Sequence, residues 1–314
     1  MALHGVALVD KPAGMSSFSV VSRLRRIFRT LGVTKAGHTG TLDPLATGLL
    51  PICIGESTKF AQRLLDADKG YFATVELGVA TTTADAEGDI VERSDACVDA
   101  SAFEAALSKF HGKIEQVPPI YSALKIDGKP AYEYARAGKP IELAARTVEI
   151  YSIELTAARP ELQEFDIEVR CSKGTYIRTL AVDIALALGT VGHLAGLRRT
   201  RTGGFELTAA QPLDAWMDAD DATRQNWLLP TEALVAELPS LDLTAQQAID
   251  ICNGKVVVTY SGTSVQASGA FADASGDTRG LVRLRDAQRG FLGLGTLSVD
   301  GTLRAERLLS TQSV

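Results

Sequence analysis

Apolar residues recur along this chain with two different periods, and the changes of period mark its elements. Following Ser16 and Ser17, the residues Val20, Leu24, Ile27, Phe28 and Leu31 fall on one helical face and the arginines fall elsewhere. That spacing predicts a helix capped by either serine and running to about Leu31. Tyr71, Ala73, Val75, Leu77 and Val79 alternate with more polar residues, as do Phe165, Ile167, Val169 and Cys171, and each set predicts a strand with one buried face. The second strand is expected to end at Gly174. A helix follows, with Ile177, Leu180, Ala181, Ile184 and Leu188 inward and Gly189 closing it. Ser101 and Glu104 have the S-x-x-E spacing of a capping box, for a short helix that stops before Gly112.

After about Leu241 the texture changes. Asn253-Gly254, Ser261-Gly262, Ser275-Gly276, Arg289-Gly290 and Asp300-Gly301 punctuate short apolar runs at 255–258, 280–284 and 291–297. This is the pattern of a small β-rich domain. The expected division lies near Pro239, giving domains 1–239 and 240–314. The fold class expected is α+β: a mixed, mainly antiparallel sheet flanked by helices, then the small β domain. No internal repeat is evident.

Composition narrows the possibilities. A chain of 314 residues has room for two domains. With 46% hydrophobic and 22% charged residues, disordered, collagenous and membrane-embedded classes are excluded. Cys53, Cys97, Cys171 and Cys252 are scattered, as are His4, His38, His111 and His193, so neither a disulfide framework nor a zinc spacing is present. The most apolar stretch, 180–197, is broken by Asp183, Gly189, Gly192 and His193, and is not expected to cross a membrane. The first residues have no basic start, apolar core or cleavage site, so no signal peptide is expected. A cytoplasmic, reduced, metal-free protein follows as the expectation.

The net charge of −6 argues against a non-specific nucleic-acid coat protein. Its distribution changes that picture. Residues 11–40 carry Lys11, Arg23, Arg25, Arg26, Arg29 and Lys35 without one acid, and 170–204 carry Arg170, Lys173, Arg178, Arg198, Arg199 and Arg201 against Asp183 alone. Residues 205–250 are strongly acidic. Two basic islands on an acidic protein can hold a polyanion locally, or can be plain solvated surface.

Motifs that bind nucleotide cofactors are missing: there is no GxxxxGK[ST], no GxGxxG after a strand, and no GxSxG or HExxH. The segment from Gly37 to Pro51, GHTGTLDPLATGLLP, is too rich in Gly and Pro for an element interior, yet it is rimmed by Leu45, Leu49, Leu50 and Ile52. Such a loop can present one polar side chain to an apolar pocket. Asp43 is the one acid between Lys11 and Ile54. Asp-Pro also favours turns, and spacing alone leaves both readings open. Arg178 falls in the first turn of a helix, where the dipole disfavours a cation, so it calls for a carboxylate partner. Asp43 is a candidate, in a pairing that would keep it ionised; a purely structural ion pair is the alternative.

Taken together, GHTGTLDPLATGLLPICIGESTKF, KGYFATVELG, PPIYSALKIDGKPAYEYARAGK and CSKGTYIRTLAVDI closely resemble the bacterial TruB family, the tRNA pseudouridine-55 synthases. LVDKPAGMSS and HLAGLRRTRTGGF also fit, in order, over about residues 6–205. The C-terminal part resembles the family's PUA-like RNA-binding domain in texture.

The resemblance implies isomerisation of uridine to pseudouridine in the T loop of tRNA, with no cofactor and no metal. Asp43 matches the nucleophile, attacking either the uracil ring or ribose C1′ of a flipped-out base. Tyr71 matches a residue that stacks on that base and serves proton transfer, although a core tyrosine is the plainer reading of its strand position. Arg178 matches the partner of Asp43. Tyr176 and Leu197 match substrate contacts, and His38 matches the residue that fills the space of the extruded nucleotide. Lys11 is expected to support the loop or a phosphate. Gly70 departs from the pattern, because many relatives carry a charged or bulkier residue before the tyrosine. The chain lacks the long basic tail of relatives that work in guide-RNA particles. A stand-alone monomer acting on the T stem-loop, without guide RNA or membrane, is therefore expected. A tRNA-folding binder and a glycosidase-like hydrolase are the competing readings. The hydrolase would need a second acid, which the motif lacks.

Overall fold

The computed structural model describes residues 3–122, 124–139, 141–259, 265–266 and 280–310. In chain order, β1 (Gly5–Lys11) leads into α1 (Ser17–Ile27), β2 (Ala36–His38) and β3 (Thr47–Ile54). Next come α2 (Gln62–Leu65), β4 (Lys69–Leu77), the hairpin β5 (Val79–Thr81) and β6 (Ile90–Arg93), then α3 (Ala100–Leu107) and β7 (Gly112–Gln116). After β8 (Lys125–Ile126), β9 (Lys129–Pro130) and α4 (Ala131–Arg136), a long hairpin forms from β10 (Arg146–Arg159) and β11 (Glu164–Cys171). Then follow α5 (Ile177–Ala187), β12 (Gly192–Thr202), β13 (Phe205–Glu206), β14 (Gln211–Pro212), α6 (Leu213–Asp218) and α7 (Asp221–Trp227).

These strands build one sheet in the order β14-β1-β3-β12-β4-β11-β10-β7, with β13 on β12 and β2 on β3. Only β1–β14 and β12–β3 pair in parallel, so the sheet is mixed and mainly antiparallel. One face is covered by α1, α3, α5 and α6. Val20 and Leu24, Phe103, Leu180 and Ile184, and Trp216 meet Val75, Ile52, Phe165 and Ile167 there in a single apolar core. The Phe103 and Phe165 rings stack with centroids 4.1 Å apart.

A second sheet begins at β15 (Ser240–Leu243). With α8 (Ala245–Cys252), β16 (Val257–Val258), β17 (Val265–Gln266), β18 (Gly280–Asp286), β19 (Gly290–Leu297) and β20 (Thr302–Leu308) it forms the order β16-β20-β19-β18-β15-β17. The class is α+β. The turns expected at Ser261-Gly262 and Ser275-Gly276 lie outside the described residues. β1 and β3 are buried on both faces: on the side away from the helices, Val6, Leu8, Leu49 and Cys53 pack with Leu234, Val235, Leu294 of the second sheet and Leu309 just after its last strand.

Local rules hold in most places and fail in three. Ser16 caps α1, its side chain accepting from Ser19 N, but the α-helix ends at Ile27 and a 3₁₀ turn carries the chain to Leu31, closed by Gly32 at φ +79°. The cap of α3 is Asp99, not Ser101. An ionised oxygen two residues upstream accepts from Ala102 N and adds a favourable charge at the helix start, which draws Ser101 into the helix. The strand expected to reach Val79 stops at Leu77, because Gly78 at φ +86° turns the chain and Val79 opens a separate hairpin.

Candidate active site

The loop 39–46 joins β2 to β3, and three buried groups hold its backbone. Lys11, fully buried, donates from Nζ to Met15 O (2.6 Å), Pro12 O (2.9 Å) and Pro44 O (3.2 Å). Ser17 clamps Leu42 at both ends: its hydroxyl donates to Leu42 O at 3.0 Å and accepts from Leu42 N at 2.8 Å. Arg199, 1% exposed, donates to Leu49 O (2.8 Å), Gly40 O (3.1 Å) and Thr41 O (3.4 Å). Gly48 completes the frame, since at φ +98° a Cβ there would lie 2.3 Å from Arg199 O. Asp43 does form a turn, Ala46 N donating to its carbonyl at 3.1 Å, and the turn is what presents its side chain.

Asp43 meets Arg178 as expected, with Oδ2 3.0 Å from Nε. The guanidinium is otherwise spent on the protein: Nη1 donates to Thr83 O (3.1 Å), Nη2 to Tyr121 O (2.7 Å). A second carboxylate, Asp85, places Oδ2 3.6 Å from Nη1. Asp85 is 3% exposed and accepts from the Thr83 hydroxyl and from Glu87 N. Arg178 thus sits between two acids, and the sequence reading identified one of them. The run Thr-Thr-Thr-Ala-Asp-Ala-Glu-Gly that carries Asp85 has no apolar period. Its one local oddity, Ala84 at φ +61°, is a backbone feature that sequence does not expose.

The acidity of Asp43 departs from expectation. Burial pushes its carboxyl above the ordinary range; Arg178 pulls it down and Asp85 pushes it up again, and the upward influences win. The pairing therefore restrains a rise in pKa instead of lowering it. A third of the Asp43 side chain stays open to a cavity of about 260 Å³.

Tyr71, Tyr176, Leu197, Arg178 and Arg199 line that cavity with Asp43. Tyr71, on β4, belongs to the core and to the cavity wall at once. Burial raises its pKa, so the phenol keeps its proton. Tyr176 precedes α5, its backbone held by Gln116 (Tyr176 N to Oε1, 3.0 Å) and its ring covered by the Arg146 guanidinium at 4.5 Å. His38 does not line the cavity. It ends β2, where Nδ1 accepts from Gly40 N at 3.3 Å, and burial holds its pKa below the ordinary histidine value.

The basic islands split. Lys11, Arg178 and Arg199 are buried, so Lys11 supports the loop and none of the three belongs to an exposed basic surface. Arg23, Arg25, Arg26, Arg29, Lys35, Arg170 and Lys173 are exposed. Among the described residues no group of His, Cys, Asp and Glu is arranged to hold a metal, and no helix is long and apolar enough to cross a membrane.

Three family models match consecutive parts of the chain: "TruB family pseudouridylate synthase (N terminal domain)" over residues 25–177, "tRNA pseudouridylate synthase B C-terminal domain" over 178–236, and "Pseudouridine synthase II TruB, C-terminal" over 239–309. The tRNA pseudouridine synthase B of Aromatoleum aromaticum is 48% identical over 309 residues, covering 98% of this chain and 94% of the relative. That of Burkholderia pseudomallei is 47% identical over 310 residues, covering 99% and 98%. In solved structures, a chain of a Cbf5-Nop10-Gar1 complex superposes with a TM-score of 0.69 at 25% identity, over 98% of this chain and 86% of that one. A chain of an H/ACA RNP bound to a substrate RNA containing 2'-deoxyuridine gives 0.70 at 24% identity, over 97% and 84%, which shows the shared fold. The chain belongs to the TruB family of pseudouridylate synthases, isomerases that convert uridine to pseudouridine in tRNA.

Proposed function

We propose that Asp43 is the nucleophile of this isomerisation, acting on uridine 55 of the tRNA T loop. The observation that carries the reading is the Asp43–Arg178 pair, set 3.0 Å apart on the wall of a cavity whose other walls are Tyr71, Tyr176 and Leu197. At about 260 Å³ the cavity lies below the roughly 300–1,000 Å³ of sites that enclose drug-sized ligands, and it suits one base.

The base must leave its stack to enter. Asp43 attacks C1′ or the uracil ring, the bond from N1 to C1′ breaks, the detached uracil turns, C5 bonds to C1′, and the bond to Asp43 breaks to return the free carboxylate. C5 gives up its proton and N1 gains one, so atoms and electrons balance without an oxidant, a nucleotide or a metal. Arg178 aims the carboxylate. Burial leaves that carboxylate poorly solvated, and a poorly solvated anion is the stronger nucleophile. The Tyr71 ring stacks on the base, and its hydroxyl relays the C5 proton, passing on its own proton as it takes up that one, so that it stays protonated throughout. Tyr176 and Leu197 bound the base, and His38 supports the loop from behind and takes up the space the nucleotide vacates. Asp85 gives no support to the hydrolase reading, since it lies behind Arg178 and does not line the cavity.

Residues 1–239 carry the chemistry and 240–314 form a PUA-like RNA-binding domain. The enzyme acts alone, as a cytoplasmic monomer without guide RNA. The test is unmodified tRNA incubated with the purified chain and nothing else, with pseudouridine mapped by carbodiimide. Asp43→Asn is expected to abolish the product while tRNA affinity persists, because affinity is spread over many phosphate contacts. Retained turnover in that variant would overturn the assignment.

A further inference from the structure

A second cavity, of about 600 Å³, opens beside the first, and Lys69 lines both. Two of its lining arginines stand on adjacent strands, one either side of Gly70. Arg170 on β11 and Arg201 on β12 are each the direct partner of Gly70 on β4. Directly opposed residues project to the same face of a sheet, so two guanidinium side chains flank a position that has none. A Cβ at Gly70 would lie 3.0 Å from Arg201 Cβ and 3.1 Å from the Thr200 hydroxyl, so the glycine keeps the gap between the arginines open. The register shift between Arg199 and Arg201 turns one arginine into the protein and the next out to this cavity. Arg63, on α2, adds a third guanidinium to the lining.

The charges of this cavity are unevenly committed. Asp66 pairs with Lys173 at 2.9 Å and Asp68 accepts from the Tyr151 hydroxyl at 3.1 Å; Glu237 is the remaining acid of the lining. Arg201 is held through Nε by Gly203 O (2.9 Å) and Glu206 (3.4 Å), which leaves its terminal nitrogens for a ligand. Among the described residues, Arg63 and Arg170 have no ion-pair partner; Arg170 is exposed and Arg63 half-buried. Planar donors either side of a position without a side chain suit tetrahedral anions carried on a strand.

We propose that Arg63, Arg170 and Arg201 seat the backbone phosphates of the tRNA strand adjoining the target uridine, with Arg170 and Arg201 held apart by Gly70 between them. The proposal rests on the assignment of the neighbouring cavity to the flipped uridine: the two cavities share Lys69, and Leu65 of the first adjoins Leu64 and Asp66 of the second, so a strand that places its base in one runs past the other.

The experiment compares the wild type with Arg63→Gln/Arg170→Gln, one change at a half-buried and one at an exposed position, on a tRNA T stem-loop by filter binding across a salt series, with a melting curve to show that the variant is folded. The variant is expected to raise Kd about tenfold and to reduce the slope of log Kd against log salt by about 0.7 for each phosphate left unneutralised. Single methylphosphonates are then scanned along the strand on either side of the target. Those that weaken the wild type are expected to be silent in the variant, since both changes abolish the same arginine–phosphate pairing. An unchanged Kd and slope, or methylphosphonate losses that add to those of the variant, would overturn the seat. Pseudouridine formation by the wild type is read in parallel. Its absence would remove the underlying assignment, whereas its presence with indifferent arginines would remove the seat alone.

Discussion

Tyr71 and Arg199 are direct cross-strand partners on β4 and β12, and the same guanidinium that reaches the phenol also donates to Gly40 O and Thr41 O of the loop presenting Asp43. One buried cation therefore joins Tyr71 to the loop that presents Asp43. Tyr71→Phe keeps the ring and loses the hydroxyl. Affinity for tRNA is expected to change by less than about 1 kcal/mol, as base stacking, worth about 1–3, survives. The single-turnover rate is expected to fall roughly 10²–10⁴-fold with the proton transfer. A near-normal rate would reduce Tyr71 to a packing residue.

Asp85 raises the pKa of Asp43 from behind Arg178, and this has a direction in pH. With Asp43 as the proposed nucleophile, the acid limb of the rate profile is expected to follow its ionisation. With Asp85→Asn one upward influence is gone, Asp43 ionises at lower pH, and the acid limb is expected to move down. Single-turnover rates from pH 4 to 8 measure it. A limb that stays in place would mean that Asp43 does not govern that limb.

Lys11→Met replaces the buried ammonium by an apolar chain of similar length and leaves the carbonyls of Pro12, Met15 and Pro44 without their donor. The expected cost is about 2–4 kcal/mol, read as a lower Tm. The salt slope of tRNA binding is expected to be unchanged, because the ammonium is buried and touches no RNA. A smaller slope would restore the phosphate role.

Glu56 ties the two sheets together: it pairs with Lys59 and accepts from Ser310 N (3.2 Å) and the Ser310 hydroxyl (2.7 Å). The Lys59 hydrogen bond, followed by those from Ser310, brings its pKa from 4.5 to about 2. A depressed carboxylate stabilises the fold above its unfolded pKa, and that contribution is lost as pH falls from about 4.5 to about 2. Glu56→Gln is therefore expected to cost about 1 kcal/mol at pH 7 after solvent screening, and nothing near pH 2. Urea unfolding at both pH values decides it; an equal loss at both would deny the ionic origin.

The parts of this site that follow a local rule could be read from sequence. Tyr71 fell in the alternation of β4, Arg178 in the first turn of a helix that begins where its apolar period does, and Asp43 in a loop whose glycines announced it. The parts that depend on approach in space could not. Asp85 lies in an aperiodic run, and only the folding of the β5–β6 hairpin against α5 makes it a partner of Arg178. Arg199 sits in an Arg-Arg-Thr-Arg run that looks solvated, and a register shift in β12 alone decides that it is buried and Arg201 is not. Asp99 outcompeted a serine that fitted a local motif, since the choice of cap depends on where the chain enters the helix.

The apolar seam between the rear of β1 and β3 and the second sheet closes with Phe60 against Phe291 (5.6 Å between centroids), while Arg283 grips Leu238 O and Pro239 O at 2.8 Å and Glu232 at 2.8 Å. Nothing in that joint behaves like a tether. The distance from Asp43 to the outer strands of the second sheet is set by interlocked side chains, so an RNA that touches both ends must offer them at one separation. With the second sheet bound to RNA as proposed above, the molecule is a calliper locked at a single width, and an RNA with an arm too short or too long is expected to be rejected before any base is turned out.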